Sequence, residues 1–424
     1  MSNNWTYCLS GAPRMMLRSR NPNIVNQPTA GKPDSDHPVK RAAGKQIQDA
    51  NNKENSNGGE PKPKRAALSE LRNQISSVLI DSSRKPLLGK NETKERTGKR
   101  SPSTSDLAII GEEKTALNDS VVVLEEVPGS VEVDPCPGYD YDKENIGDEF
   151  NVPEFAFDIF RYYRSREGCF PIGDYVPKQP KVSKDTRAVL VDWMIEMQET
   201  FELNHETLYL AVKLVDLHLT NTKEKVASRA QLQLIACAAV FVASKYEERQ
   251  PPLIDDFLYM AEDMFTRPDL EAMERKMLVT VGFDLGAPLS YSFVRRYAKA
   301  SKVDMKTLTL SRYILETSLM FYEFCRASDS KMAAGSFLLA LRMLDPKAEW
   351  TPVLHKYSGL TAAEVEPWCW ELSHMMHVRA SGKGVNAKLN TAFQKYSHEV
   401  FFETAAVPLI EDKFPSDRAI QCPE

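Results

Sequence analysis

Five histidines, His205, His218, His355, His374 and His377, lie on or beside stretches with helical apolar spacing. Catalysis by any of them would need a nucleophile or a second titratable group alongside, and metal binding would need Cys or His at ligand spacing. The sequence has no Gly-rich phosphate loop, no Cys/His ligand spacing and no Ser/His/Asp set on recognisable strands. The histidines read as packing or surface residues, so no catalytic residue, metal or cofactor is expected. Cys8, Cys136, Cys169, Cys237, Cys325, Cys369 and Cys422 are scattered and never form a Cys-x-x-Cys pair. That pattern fits a reducing compartment better than a disulfide framework. What remains is binding chemistry.

The residues best suited to binding lie on one helix. Val189, Leu190, Trp193, Met197 and Phe201 follow core spacing, yet Val191, Met194 and Ile195 are apolar too. Either the helix is buried all round, or it leaves a groove for an extended peptide, with Glu196, Arg229 and Gln233 as a polar rim.

The elements that would position these residues are helical. Apolar periodicity predicts helices over Ser183–Phe201, Glu206–Leu219, Ala227–Tyr246, Ile254–Met260 and Arg267–Val281. A second series covers Ser290–Ala300, Met305–Phe324, Lys331–Met343, Pro352–Ser358 and Ala362–Met376, with a tail helix at Ala387–Tyr396. Asn204 and Asp185 read as start signals, Gly282 and Gly286 as stops. The third helix of each series carries small residues on consecutive turns, Ala236-Cys237-Ala238-Ala239 in one and Ala333-Ala334-Gly335-Ser336 in the other. Small residues let neighbouring helices approach closely, as a central helix requires. The reading is all-α, two tandem five-helix repeats behind a long disordered N-terminal tail.

Residues 1 to about 150 are rich in Asn, Ser, Gly, Pro and Lys and cannot bury enough surface to fold alone. The first hundred carry roughly +10 and the next fifty roughly −11. Val121-Val122-Val123-Leu124 is the exception, either a strand-forming peptide for a sheet edge or a chance run in a linker. Neither a signal peptide nor a membrane span is expected, since Leu234 to Ala243 falls far short of the roughly 18 apolar residues a span needs.

Three motifs resemble those of a known family. Thr186-Arg187-Ala188-Val189-Leu190-Val191-Asp192-Trp193-Met194 resembles the cyclin signature, and Ala243-Ser244-Lys245-Tyr246-Glu247-Glu248 its second hallmark. Phe201-Glu202-Leu203-Asn204-His205-Glu206-Thr207-Leu208-Tyr209-Leu210-Ala211-Val212 is most similar to the third subgroup of B-type mitotic cyclins. The resemblance runs from about Pro153 to Met376. It implies cyclin boxes over 151–286 and 287–405, a tail over 1–150 and an extension over 406–424. It also implies a non-catalytic activator of a mitotic cyclin-dependent Ser/Thr kinase, with Lys245, Tyr246 and Glu274 as the kinase-binding residues. The same resemblance assigns Val189, Leu190, Trp193, Glu196, Arg229, Leu232 and Gln233 to a docking patch for substrates carrying an Arg-x-Leu-type motif. Thr186 stands where the family has Met, trimming apolar area by an amount worth about 1 kcal/mol. A DNA-binding relative with paired boxes would need a zinc ribbon and a basic C-terminal body, and this chain has neither.

Mitotic cyclins are destroyed by ubiquitination, which needs accessible signals. Arg65-Ala66-Ala67-Leu68, with Asn73 following, and Lys53-Glu54-Asn55 read as a two-part signal for the co-activators of the anaphase-promoting complex. Lys143-Glu144-Asn145 is a further match in acidic surroundings. Lys62, Lys64 and Arg65, and Lys94, Arg96, Lys99 and Arg100, are candidate nuclear-import clusters for importins. Ser101, before Pro102, is a candidate phosphosite whose added charge would tune import. The expected location is nuclear, with cytoplasmic access during division. Neither a membrane nor a specific nucleic acid is an expected partner.

Overall fold

The computed structural model describes residues 134–148, 151–382, 384–386 and 388–423. Among these residues there are helices, short 3-10 turns and no strands. A one-turn helix α1 (Tyr141–Glu144) and α2 (Pro153–Arg166) precede the first box. That box comprises α3 (Lys184–Thr200), α4 (His205–Asn221), α5 (Arg229–Glu247), α6 (Ile254–Met260) and α7 (Arg267–Thr280). The second comprises α8 (Ser290–Ala300), α9 (Met305–Ser318), α10 (Asp329–Leu344), α11 (Pro352–Ser358) and α12 (Ala362–Ala380), followed by α13 (Thr391–Tyr396).

The third helix is central in both boxes, as the small residues require. α5 packs on α4, α7 and α3, and α10 packs on α12, α9 and α8. Gly335 marks the closest approach: a Cβ there would fall 2.6 Å from Cβ of Trp368 on α12.

The signature helix α3 is covered along its apolar length. Every residue from Thr186 to Ile195 is buried, on all sides of the helix. α4 and α5 cover it within its own box, and the Tyr322–Phe324 turn and α13 cover it from beyond. The surplus apolar surface is therefore spent in the seam between boxes. Arg187 donates to both carboxylate oxygens of Asp216 on α4, at 2.7 and 2.6 Å, and to the Leu319 carbonyl of the second box at 2.7 Å. Asp192 accepts from the backbone and hydroxyl of Thr391, and Lys395 reaches Gln198 and Glu316, each at 2.7 Å.

Several elements differ from the sequence reading. Ser183, not Asp185, caps α3, accepting from the Thr186 amide at 3.0 Å and sharing a 2.8 Å hydroxyl contact with Thr186. Gly282 closes α7 with φ +73°, whereas Gly286 has no left-handed backbone. The helix expected over Met305–Phe324 ends at Ser318. There Thr317 and Ser318 donate back to the carbonyls of Tyr313 and Leu315, a competition that bends or ends helices. α2 lies outside the sequence reading; it buries only Ala156 fully and rests on the core through the half-buried Phe160 and Tyr163. Residues 134–148, assigned to the tail, are folded against the second box.

Candidate functional site

The site begins at the C-terminal end of α5. Lys245 is in the last turn of α5, and its ammonium pairs with the Glu274 carboxylate on α7 while standing 3.9 Å above the Phe241 ring. The pair is half-exposed. Sequence alone allowed Lys245 as a solvated helix end and Glu274 as a partner within its own helix. Instead the fold brings the two together across 29 positions.

Tyr246 follows and is 54% exposed, a large fraction for an aromatic residue. Beside it, Arg166 at the end of α2 pairs with Asp284 at 2.6 Å, and a Cβ on Gly286 would stand 3.7 Å from that guanidinium and 4.0 Å from the Tyr246 hydroxyl. Tyr162 on α2, Val279 on α7 and Phe283 in the following turn are also exposed apolar residues. The result is a charged pair, Lys245–Glu274, with the exposed Tyr246 next to Lys245 in the chain. Isolated exposed apolar residues are ordinary on a protein surface.

In the remainder of the second motif Ala243 and Ser244 are buried and Glu247 and Glu248 half-buried. Glu248 accepts from the Asn204 amide nitrogen and side chain, each at 2.7 Å, and from the Thr207 hydroxyl at 2.5 Å. It thus caps the start of α4 from another helix; the Asn204 side chain makes no cap bond. Glu167 serves α10 in the same way, accepting from the Ser330 amide at 2.5 Å and the Ser328 hydroxyl at 2.7 Å. Helix N-termini carry unsatisfied N–H groups and partial positive charge, so a carboxylate there is stabilising.

The docking residues are arranged differently. Val189, Leu190, Trp193, Leu232 and Gln233 are buried, while Glu196 and Arg229 are half-buried. Burial, with the Asp192 charge one turn away, raises the Glu196 pKa. Oε1 of Gln233 is a buried acceptor with no donor among the described residues.

The degron residues Lys53, Glu54, Asn55, Arg65, Leu68 and Asn73 lie outside the described residues, as do the import clusters, Ser101 and the Val121–Leu124 run. Among the described residues no group of Cys, His, Asp and Glu could hold a metal, and no helix is long and apolar enough to cross a membrane.

Two five-helix boxes, fastened by one signature helix, define the class. The chain belongs to the cyclin family: residues 158–286 match the cyclin N-terminal domain and 288–409 the cyclin C-terminal domain. Within it, the chain is similar to the G2/mitotic-specific cyclins of type B3. It is 44% identical to that of Caenorhabditis elegans over 403 residues, spanning 94% of this chain and 95% of the relative. The Drosophila melanogaster protein is 46% identical over 299 residues, covering 69% of this chain and 49% of the relative. The human one is 40% identical over 275 residues, covering 65% of this chain and 19% of the relative. The chain thus spans nearly all of the nematode protein, about half of the fly protein and a fifth of the human one.

Proposed function

We propose that this chain binds and activates a mitotic cyclin-dependent Ser/Thr kinase through the face made by Lys245, Tyr246 and Glu274. The observation that carries this reading is the Lys245–Glu274 pair, set between α5 and α7 beside an exposed aromatic. Such a kinase is inactive while the helix carrying the Glu of its Lys–Glu pair is turned away from ATP. A partner that binds only the active arrangement shifts the equilibrium towards it. Lys245 and Glu274, ordered against one another, offer donor and acceptor groups to kinase backbone, and Tyr246 supplies apolar area. Replacing both by Ala should abolish stimulation of histone phosphorylation by the mitotic kinase while leaving the helical content unchanged. A kinase rate equal to that of the unaltered chain would refute the assignment.

Docking of Arg-x-Leu substrates is a second, subordinate reading. It is supported by the half-buried Glu196 carboxylate, an acceptor for Arg, and by the unpaired Oε1 of Gln233.

Destruction at mitotic exit is assigned to Lys53-Glu54-Asn55 and Arg65-x-x-Leu68 with Asn73, read by co-activators of the anaphase-promoting complex. Nuclear location, with cytoplasmic access during division, is assigned to the basic clusters, importins and Ser101. Altering Lys53–Asn55 together with Arg65 and Leu68 should stabilise the protein at mitotic exit; normal decay would refute the signal.

A further inference from the structure

Residues 134–148 form a strap across α8 and α11 of the second box. Asp134, Asp142 and Glu144 each meet a cation, on α11, on α8 and just after α8. Lys356 binds the Asp134 carboxylate at 2.6 Å and the Tyr139 carbonyl at 2.7 Å. Arg296, only 5% exposed, donates two bonds to Asp142 at 2.6 and 2.5 Å, and Lys302 pairs with Glu144 at 2.5 Å. Aromatic contacts reinforce the charges. The Tyr139 hydroxyl donates to the Ala300 carbonyl at 2.6 Å. The buried Tyr141 stands edge-on to Tyr357, whose hydroxyl accepts from the Tyr141 amide at 2.7 Å. The Arg296 guanidinium lies 4.8 Å from the centre of the Tyr357 ring.

The strap carries Lys143-Glu144-Asn145, and its contacts involve all but the first of these side chains. Lys143 is exposed, and the groove beside it, lined also by Ile146, Phe157 and Tyr357, is open. Glu144 is committed to Lys302. The Asn145 side chain donates to the Tyr141 carbonyl at 2.6 Å, closing the turn of α1. A receptor that reads Lys, Glu and Asn together must take Glu144 from Lys302 and Asn145 from the Tyr141 carbonyl.

We propose that Lys143-Glu144-Asn145 is a reserve binding site for a degradation co-activator, withheld while the strap is docked and offered when it lifts. The proposal rests on the degradation reading above. When the competent state is a minor one, apparent affinity falls by the fraction of time spent in it. The folded chain should therefore bind at least roughly ten-fold more weakly than the free segment.

The test measures binding to a purified co-activator of the anaphase-promoting complex. The ligands are a peptide of residues 134–150, a control peptide containing Lys53-Glu54-Asn55, and the full chain with its tail signals replaced (K53A, E54A, N55A, R65A, L68A). The expected result is binding by both peptides and weak binding by the full chain. Adding Tyr139→Phe and Asp142→Asn, which loosen the strap and leave both boxes and the triplet intact, should recover most of the gap. Arg296→Ala should do the same from the other side, with kinase stimulation as its check on folding. Equal binding by full chain and peptide would overturn the proposal, as would loosened variants that bind no better. Binding by the control peptide alone would overturn the reserve site and leave the tail signal standing. Failure of both peptides would remove the degradation reading and the reserve site together.

Discussion

Arg187 of the first box donates to the Leu319 carbonyl of the second at 2.7 Å while its other nitrogens hold Asp216. A single side chain of the signature helix thus fixes α4 on one side and the neighbouring box on the other. Tyr175 adds a 2.7 Å bond to the same carboxylate. The signature is in large part a fastening between boxes, and the outcome of altering it follows.

Arg187→Ala should destabilise the chain by about 3–5 kcal/mol, since it leaves the buried Asp216 carboxylate without its counter-charge. Arg187→Met combined with Asp216→Leu should cost much less than the single change. Urea titration of the three chains distinguishes a specific pair from general loss of volume.

Gly335→Ala places a methyl group against Cβ of Trp368 and within 3.2 Å of the Cys369 amide nitrogen. Both α10 and α12 would have to shift. Overpacking of this kind costs about 1–3 kcal/mol. A lower melting temperature is expected, whereas no change would mean that the helix pair is loosely seated.

Trp193→Ala opens the core, because Trp193 is 3% exposed. The expected loss is about 3–5 kcal/mol of stability, affecting all substrates alike. A stable variant with selective loss on docking-motif substrates would place Trp193 on the surface instead.

His218 supplies a pH dependence. Its ring is buried with Nδ1 unpaired, and burial, helped by Lys276, lowers its pKa to about 4. The unfolded chain takes up a proton near pH 6.5, the folded one only near 4, so stability is lost as pH falls through that window. Between pH 7 and 5 the loss should be about 2 kcal/mol relative to His218→Gln. Asp192 works in the opposite direction, its pKa raised by burial to about 6, and is common to both chains. Parallel pH profiles would show that His218 is not the titrating group.

The small-residue turns of α5 and α10 were legible as central helices because close approach is a local demand on residue size. The burial of α3 was not, since a helix apolar on every face looks the same beneath a second box or beside a groove. Glu248 and Glu167 were illegible as caps: each satisfies a helix start distant in sequence. Likewise, Lys245 and Glu274 were named from a resemblance, but only the packing of α5 on α7 showed that they meet. α2 escaped because it buries only Ala156 fully and packs inward through the half-buried Phe160 and Tyr163, and the strap because its partners lie some 150 to 220 positions away.

The strap also sets where the protein can be cut for work in solution. A fragment beginning at Pro153 keeps both boxes but removes Asp134, Asp142 and Glu144, leaving Arg296, Lys302 and Lys356 without those counter-charges. Such a fragment should adhere to polyanions such as heparin or nucleic acid, an affinity of the trimmed surface that the longer chain conceals.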